Sequence, residues 1–184
     1  MKIIGLTGAM LSGKTEVLKI FKTLGAGVLS ADDIVGGLLK TESVQKTLIK
    51  TFGAADKESL KKILKNAVLR SKLENILHPL VRIEGDKIIK KTRAPVIVYE
   101  TPLLFEAGWQ KYFDLTLCVI SDEKDLAARL KKRGITKKDF EVRSKAQFPR
   151  EKKAALADVV VVNAGSLKDL QSKIKNIYKL ITEK

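Results

Sequence analysis

The sequence has few of the residues that mark disulfide-bonded, zinc-binding or membrane-spanning proteins. Its 184 residues include one cysteine and one histidine, too few for an internal disulfide or for the usual four zinc ligands. Cys118 lies in the apolar run LTLCVI, so we expect a buried thiol and a reducing, cytoplasmic location. The opening MKIIGLTGAML is too short and too soon polar for a signal peptide, and no run of about 18 apolar residues occurs. We therefore expect neither secretion nor a membrane span.

Aromatic residues are also scarce, at 5% of the chain, whereas basic residues are abundant. Thirty-six Lys and Arg against 21 Asp and Glu give a formal net charge of +15, which attracts polyanions such as nucleotides or nucleic acids. The sequence lacks a basic stripe with interleaved aromatics for base stacking, so we expect no dedicated nucleic-acid partner. Most lysines are expected on solvated helix faces, including the pairs at 61–62, 90–91, 131–132 and 152–153.

Short apolar runs alternate with longer segments of helical period. Five runs are candidate strands: KIIGLT from Lys2, GVLS from Gly27, PVIVYE from Pro95, LTLCVI from Leu115 and VVVV from Val159. They lack in-and-out polar alternation, which is typical of parallel strands covered on both faces. The pattern predicts an α/β fold, a three-layer sandwich with a five-stranded parallel sheet.

The segment between the second and third strands is longer than one crossover requires. From Asp32 to Arg93 the pattern is almost purely helical, and we interpret residues 32–93 as a helical insert over the active-site edge. Two later helices have capping-box starts, Thr136 with Asp139 and Ser166 with Asp169. Because no repeat or low-complexity linker occurs, a single domain over residues 1–184 is expected.

The most informative stretch follows the first strand directly. Residues 8–15 match the phosphate-loop motif G-x-x-x-x-G-K-[ST] completely. In this motif backbone N–H groups converge on phosphate oxygens, the lysine offsets phosphate charge and the Thr hydroxyl binds Mg²⁺. The predicted nucleotide-binding residues are Gly8, Ala9, Met10, Leu11, Ser12, Gly13, Lys14 and Thr15. We therefore predict binding of ATP with Mg²⁺, and the absence of an Asn-Lys-x-Asp guanine-binding motif argues against a GTPase switch.

Charged residues after the later strands are candidates for phosphate chemistry. Asp32 and Asp33 follow the second strand, where one of them is a candidate general base; the alternative is that they cap the next helix. Glu100 ends the third strand, from which a carboxylate can reach a Mg²⁺ ion, or it is simply solvated there. Three arginines after the fourth strand are phosphate-clamp candidates that are equally compatible with surface positions: Arg129, Arg133 and Arg143.

Several segments together resemble the dephospho-CoA kinase family nearly end to end. The resemblance rests on IGLTG-x-x-x-SGKT from Ile4, Ala31-Asp32, Phe52-Gly53, Leu77-His78-Pro79, Pro102-Leu103-Leu104-Phe105-Glu106, Arg143 through Gln147, Pro149, Lys153, Ala157-Asp158, Asn163 and Gly165-Ser166. The PLLFE segment and the ordered Q-x-P…K…A-D…N run are much more family-specific than the phosphate loop. The fold implied is that of P-loop NTPases of the nucleoside-monophosphate-kinase type.

The resemblance implies that ATP phosphorylates the ribose 3′-hydroxyl of dephospho-CoA. Asp32 would be the base, with Lys14 and Arg143 as further catalytic residues, and residues 123–150 would form a mobile lid. Arg133 and Asn163 would bind ATP, and Thr15 and Glu100 would bind Mg²⁺. The implied acceptor-binding residues are Asp32, His78, Leu104 and Glu106. For His78, which precedes a proline, capping a helix is the alternative.

The sequence also departs from the family pattern. The family usually has glycine at the positions of Ala9 and Leu11 and aspartate at that of Ser30. A leucine forced to positive φ is strained, so the sequence predicts either a negative φ at Leu11 or weaker nucleotide binding.

Two other functions remain open from the sequence. A nucleoside monophosphate kinase shares the sheet, the phosphate loop and the arginine lid, but the PLLFE and Q-x-P segments argue against it. A non-catalytic nucleotide- or RNA-binding module would fit the net charge of +15. A monomer or weak homo-oligomer is expected.

Overall fold

The computed structural model describes residues 1–121 and 126–183, except for the side chain of Arg143. The strands are β1 (Lys2–Gly8), β2 (Gly27–Ser30), β3 (Val96–Glu100), β4 (Leu115–Ser121) and β5 (Val159–Asn163). The helices are α1 (Lys14–Thr23), α2 (Ala31–Leu38), α3 (Glu42–Phe52), α4 (Lys57–Lys65), α5 (Ala67–Lys91), α6 (Leu126–Lys132), α7 (Lys137–Ser144), α8 (Arg150–Leu156) and α9 (Leu167–Thr182), with a 3₁₀ turn at Trp109–Tyr112.

The five strands form one parallel sheet in the order β2-β3-β1-β4-β5, which confirms the predicted strands and fold class. Strand β1 lies at the centre, with Ile4 opposite Val98 of β3 and Leu115 of β4. Its residues from Ile4 to Gly8 are all buried, as expected for a strand covered on both faces. The carboxyl end of β1 therefore opens at the middle of the sheet edge.

Alternate residues of the strands build a core against α1 and α9. The fully or nearly fully buried members of this core include Leu6, Phe21, Leu117, Val119, Val161, Leu170 and Ile174. Helix α8 packs on β4 and β1, on the face that carries Thr7 and Cys118. Apolar burial on both faces of the central strands gives the three layers that the sequence predicts.

The expectation of full coverage on both faces is wrong for β5. Val160 and Val162 are 40% and 46% exposed, whereas Val161 between them is 2% exposed. Because β5 is an edge strand, the helix layer on the α8 side does not extend over it, and a run of four valines cannot report this difference.

The chain divides into two compact units, one formed by residues 1–29 and 93–184 and the other by Ser30–Thr92. The second contains helices α2 to α5, which agrees with the helical pattern of that stretch. Its own apolar core is built from Val44, Leu48, Ile63, Leu73 and Leu77. The assignment of residues 1–184 to one kinase domain stays a prediction.

Helix starts follow the capping rules, but not always through the expected residue. The predicted capping box at Ser166 is present, since Asp169 N–H donates to Ser166 Oγ at 3.2 Å and Ser166 N–H donates to Asp169 Oδ2 at 3.0 Å. At Thr136, Asp139 N–H donates to Thr136 Oγ1 at 3.1 Å and the Thr136 hydroxyl donates to Asp139 Oδ2 at 2.8 Å. Helix α2 is capped by Ser30, whose Oγ accepts from Asp33 N–H at 3.4 Å. The alternative that Asp32 and Asp33 cap α2 is therefore wrong, because both lie inside its first turn.

His78 and Pro79 lie inside α5, so the capping alternative for His78 is also wrong. Within the part of the chain that the structure describes, we find no helix both apolar enough and long enough to cross a lipid bilayer.

Candidate nucleotide site

The loop between β1 and α1 has the backbone conformation of an anion-binding site. Gly8, Leu11 and Gly13 have φ values of 147°, 65° and 100°. Gly13 is the N-cap of α1, and because glycine has no side chain, the start of this helix has no side-chain cap. Because a helix N-terminus presents unpaired N–H groups and the positive end of the helix dipole, this end of α1 is suited to phosphate.

Gly8 and Gly13 are required by close approach as well as by conformation. A Cβ added at Gly8 would lie 2.3 Å from the Val119 carbonyl oxygen, and one at Gly13 would lie 2.1 Å from Asn163 Nδ2. Both distances are far below van der Waals contact. The loop is thus packed against the carboxyl ends of β4 and β5 without room for side chains at these positions.

Lys14 is held inside the loop rather than in solvent. Lys14 is only 8% exposed, and its Nζ donates to the carbonyl oxygens of Gly8 at 3.1 Å and Ala9 at 2.9 Å. Ser12 Oγ is buried and has no hydrogen-bond partner among the described residues. An ammonium and an unsatisfied hydroxyl in one loop are groups that phosphate oxygens can satisfy.

Two side chains from distant segments bind the carbonyl oxygens of the loop. Arg129 Nη1 on α6 donates to the Leu11 carbonyl oxygen at 3.0 Å. Asn163 Nδ2 at the end of β5 donates to that of Ser12 at 2.9 Å. The sequence predicted a nucleotide contact for Asn163 and a phosphate clamp or surface position for Arg129; the loop-holding contacts of both were missed.

The residues assigned to Mg²⁺ fit the type of site that this ion uses beside phosphates. Thr15 is exposed in the first turn of α1, and Glu100, the last residue of β3, pairs in register with Leu6 of β1. The described residues contain no cluster of three or more His, Cys, Asp or Glu suited to a metal. Mg²⁺ is commonly held by one or two protein oxygens together with substrate phosphates and water, so one hydroxyl and one carboxylate are compatible with it.

A buried ion pair lies behind the loop and was not expected. The Lys153 side chain is 0% exposed, and its Nζ lies 3.0 Å from Glu106 Oε1. Lys153 also donates to the Pro102 carbonyl oxygen, which accepts from Thr7 Oγ1 at 3.3 Å. The prediction of a solvated helix face is wrong for Lys153, and only its place in the family-specific motif run signalled a special role.

Glu106 also fixes the chain that enters α8. The backbone N–H of Phe148 donates to Glu106 Oε1 at 2.6 Å. Burial lowers the pKa of Lys153, opposed by the adjacent Glu106 carboxylate. Burial raises the pKa of the neighbouring Cys118 thiol to about 11, so this thiol is neutral at physiological pH.

Two further predicted residues lie in the unit formed by Ser30–Thr92. Asp32 is exposed in the first turn of α2. His78 is half-buried on α5, and burial lowers its pKa against the opposing effect of the Glu74 carboxylate. A neutral imidazole at this position can accept or donate a hydrogen bond to a ligand.

The remaining predicted residues have different surroundings. Leu104 is fully buried, and a Cβ added at Gly5 would lie 2.6 Å from its Cδ1, so its packing alone accounts for its presence. Arg133 is exposed at the end of α6. The side chain of Arg143 and residues 123–125 of the predicted lid lie outside the described residues.

Comparison with known proteins points to one family. Residues 2–169 match the family model described as dephospho-CoA kinase. A dephospho-CoA kinase from Aquifex aeolicus is 35% identical, with 99% of this chain and 98% of the relative covered. One from Fusobacterium nucleatum is also 35% identical, with 97% and 98% covered. A crystal structure of a Thermus thermophilus protein superposes with a TM-score of 0.84 at 30% identity, covering 97% of this chain and 96% of that one.

Proposed function

Because the chain belongs to the dephospho-CoA kinase family, we propose that it transfers the γ-phosphate of ATP to the ribose 3′-hydroxyl of dephospho-CoA. The products are coenzyme A and ADP. The observation that carries this proposal is a complete phosphate loop, with Lys14 held inside it, in a chain that matches the family over nearly its full length.

The proposed reaction is an in-line displacement. The 3′-oxygen forms a bond to the γ-phosphorus as the bond between that phosphorus and the bridging oxygen of ADP breaks. The hydroxyl proton passes to the Asp32 carboxylate, a role supported by the family resemblance and by an exposed position in the first turn of α2. The ADP oxygen carries the released negative charge.

Most of the catalytic effect in such a transfer comes from positioning and electrostatics. The loop N–H groups and Lys14 would hold the β- and γ-phosphates, and Arg133 and Arg143 would offset charge on the transferred group. Thr15 and Glu100 would hold Mg²⁺, which neutralises phosphate charge when bound. Asn163 would act at ATP through the Ser12 carbonyl that it binds.

The acceptor contacts are part of the same proposal. His78 would bind dephospho-CoA from α5, and Glu106 and Leu104 would support the acceptor side of the site. A cytoplasmic location is also proposed, since the buried Cys118 has no disulfide partner in a chain with one cysteine.

The test is product identification with alternative acceptors. Purified protein with Mg-ATP is given dephospho-CoA, AMP, CMP or buffer, and ADP release and product mass are measured. Coenzyme A as the dominant product supports the proposal, whereas phosphorylation of AMP or CMP alone would replace it with a nucleoside monophosphate kinase.

Variants in the same assay test the assigned roles. Lys14→Ala is expected to reduce turnover by about 10²–10³-fold at any salt concentration, as loss of a transition-state charge donor does. Asp32→Asn should abolish transfer while ATP binding persists. Asp33→Asn, in the same helical turn, is the matched control, and equal losses in the two variants would contradict the assignment of Asp32 as the base.

A further inference from the structure

We propose that Arg129 is a positioning residue that holds the phosphate loop in its nucleotide-binding conformation through the carbonyl oxygen of Leu11. The inference rests on the proposed function, because it takes this loop to be the ATP site. It assigns to a lid arginine a contact with the protein backbone rather than with the transferred phosphate.

The loop needs such support because Leu11 is strained. Its φ of 65° is the only positive value at a non-glycine residue in the described ranges 1–121 and 126–183. In the left-handed region the Cβ of an L-residue crowds the following carbonyl group, a cost that glycine avoids. Leu11 therefore favours a negative φ unless contacts elsewhere oppose that rotation.

Arg129 supplies a contact that opposes it. Its Nη1 donates to the Leu11 carbonyl oxygen at 3.0 Å, across 118 positions of sequence. A rotation of Leu11 about φ turns the peptide groups beside it, so the carbonyl oxygen would leave the guanidinium. Because charge-assisted hydrogen bonds are stronger than neutral ones, this contact can offset the backbone strain.

The neighbouring carbonyl groups of the loop are fixed in a similar way. Asn163 binds the Ser12 carbonyl oxygen, and Lys14 binds those of Gly8 and Ala9. Leu11 lies between these anchored peptides and is the strained member of the set. The Arg129 contact is thus the one that bears directly on the strained residue.

Arg133, the first residue after α6, provides a comparison. It lies one turn after Arg129, and its backbone N–H donates to the Arg129 carbonyl oxygen at 3.1 Å. Arg129 is half-buried against the loop, whereas Arg133 is exposed. The Arg133→Met substitution should therefore weaken ATP binding by the same factor whether residue 11 is leucine or glycine.

The proposal predicts a specific rescue. When only a fraction of the molecules has the binding-competent conformation, the apparent affinity is reduced in proportion to that fraction. Arg129→Met should weaken ATP binding about tenfold, the factor expected from the left-handed penalty of an L-residue. Leu11→Gly removes that penalty, so the double variant should bind ATP within about twofold of Leu11→Gly alone.

Alanine provides the matched control at the same position. Leu11→Ala removes the same side-chain branch but keeps a Cβ, so it retains the left-handed penalty. Arg129→Met combined with Leu11→Ala should therefore stay about tenfold weaker than Leu11→Ala alone. Rescue by alanine as well as glycine would mean that the leucine side chain matters and would overturn the proposal.

The experiment measures the Kd for ATP by calorimetry on the full-length chain for each single and double variant, at temperatures where melting curves show every variant folded. Equal losses from Arg129→Met in the wild-type and Leu11→Gly backgrounds would overturn the proposal and assign Arg129 to the nucleotide directly. Arg133→Met should show equal losses in both backgrounds. If Arg129→Met does not fold, Arg129→Gln is read in the same way. Failure of the wild-type chain to bind ATP would refute the proposed function instead.

Discussion

The phosphate loop and the segment from Thr101 to Gly108 follow neighbouring strands, β1 and β3, yet different interactions hold them. In the loop, side chains of Lys14, Arg129 and Asn163 bind backbone carbonyl oxygens. In the segment after β3, Glu106 forms a buried ion pair with Lys153 and accepts from a backbone N–H. The loop side chains bind neutral carbonyl oxygens, whereas the segment after β3 contains a buried pair of opposite charges.

The difference separates an adjustable site from a fixed support. A hydrogen bond to a carbonyl oxygen contributes about 1 kcal/mol net from a neutral donor and about 1.5–3 kcal/mol from a charged one, and a ligand or water can replace it. A buried charge that loses its partner costs about 3–5 kcal/mol, because water cannot reach it. The loop that must accept and release a nucleotide is therefore adaptable, while the segment behind it is not.

The largest expected effect comes from breaking the fixed support. Lys153→Met leaves the Glu106 carboxylate buried without its ammonium partner, which should lower the free energy of unfolding by about 3–5 kcal/mol. Urea unfolding at pH 7 measures this. Lys152→Met is the neighbouring control, since Lys152 is exposed and its Nζ lies 3.6 Å from the Phe148 ring centroid.

The double variant Lys153→Met with Glu106→Gln separates charge from shape. A glutamine still accepts from the Phe148 N–H and carries no charge, so most of the lost stability should return. Equal destabilisation in the single and double variants would show that packing rather than unpaired charge holds this segment.

A smaller effect is expected from crowding the adaptable loop. Gly13→Ala places a Cβ 2.1 Å from Asn163 Nδ2 at a φ of 100°, so it must displace the amide from the Ser12 carbonyl oxygen. We expect ATP affinity to fall about tenfold, from the backbone penalty and the lost contact together. Calorimetry with ATP measures it. Asn163→Ala combined with Gly13→Ala should lose little more than Gly13→Ala alone, and fully additive losses would contradict this account.

An exposed carboxylate bound to the backbone should contribute less than the buried pair. Asp158 Oδ2 accepts hydrogen bonds from the Thr116 hydroxyl and from the Thr116 backbone N–H, both at 2.7 Å. Both bonds lower the pKa of Asp158, and the bond from the hydroxyl has the larger effect. Asp158→Asn should cost about 1 kcal/mol at pH 7. Because the folded pKa is lowered, this stabilisation is present above the unfolded value of about 3.9 and is lost as pH falls through the folded value. Melting temperatures of the two proteins should converge in acid, and a constant difference down to pH 2 would contradict the assignment.

The smallest effect is expected at a surface ion pair. Lys46 Nζ lies 2.6 Å from Glu42 Oε1, closer than the buried pair, but the side chains are 74% and 81% exposed. Lys46→Met should change the free energy of unfolding by less than about 0.5 kcal/mol, and salt should reduce even that. Urea unfolding in low and high salt is the measurement, and a loss above 2 kcal/mol would show that distance outweighs burial.

The sequence predicted the parts of the fold that depend on local pattern. The five apolar runs become the five strands, and Thr136 and Ser166 each accept from a backbone N–H at a helix start, because β-branched runs and Ser or Thr caps act over a few residues. The cap of α2 was missed because Ser30 serves both as the end of β2 and as the cap.

The missed contacts around the site depend on partners far along the chain. Nothing near Lys153 indicates burial, since its partner Glu106 belongs to another segment. The alternative of a negative φ at Leu11 is wrong, since its φ is 65°, and the arginine that binds its carbonyl oxygen is 118 positions away. The roles of Asp32, His78 and Arg143 rest on family resemblance and stay predictions.

The central place of β1 has a consequence for synthesis on the ribosome. Lys2 pairs with Val96, and Ile4 pairs with Leu115, so the first strand made must wait for much later residues before either neighbour exists. At translation rates of about 5–20 residues per second, that wait is on the order of ten seconds. The helices between Ser30 and Thr92 rely on nearer contacts and can form earlier. During that interval the apolar residues of β1 have neither neighbouring strand to pair with.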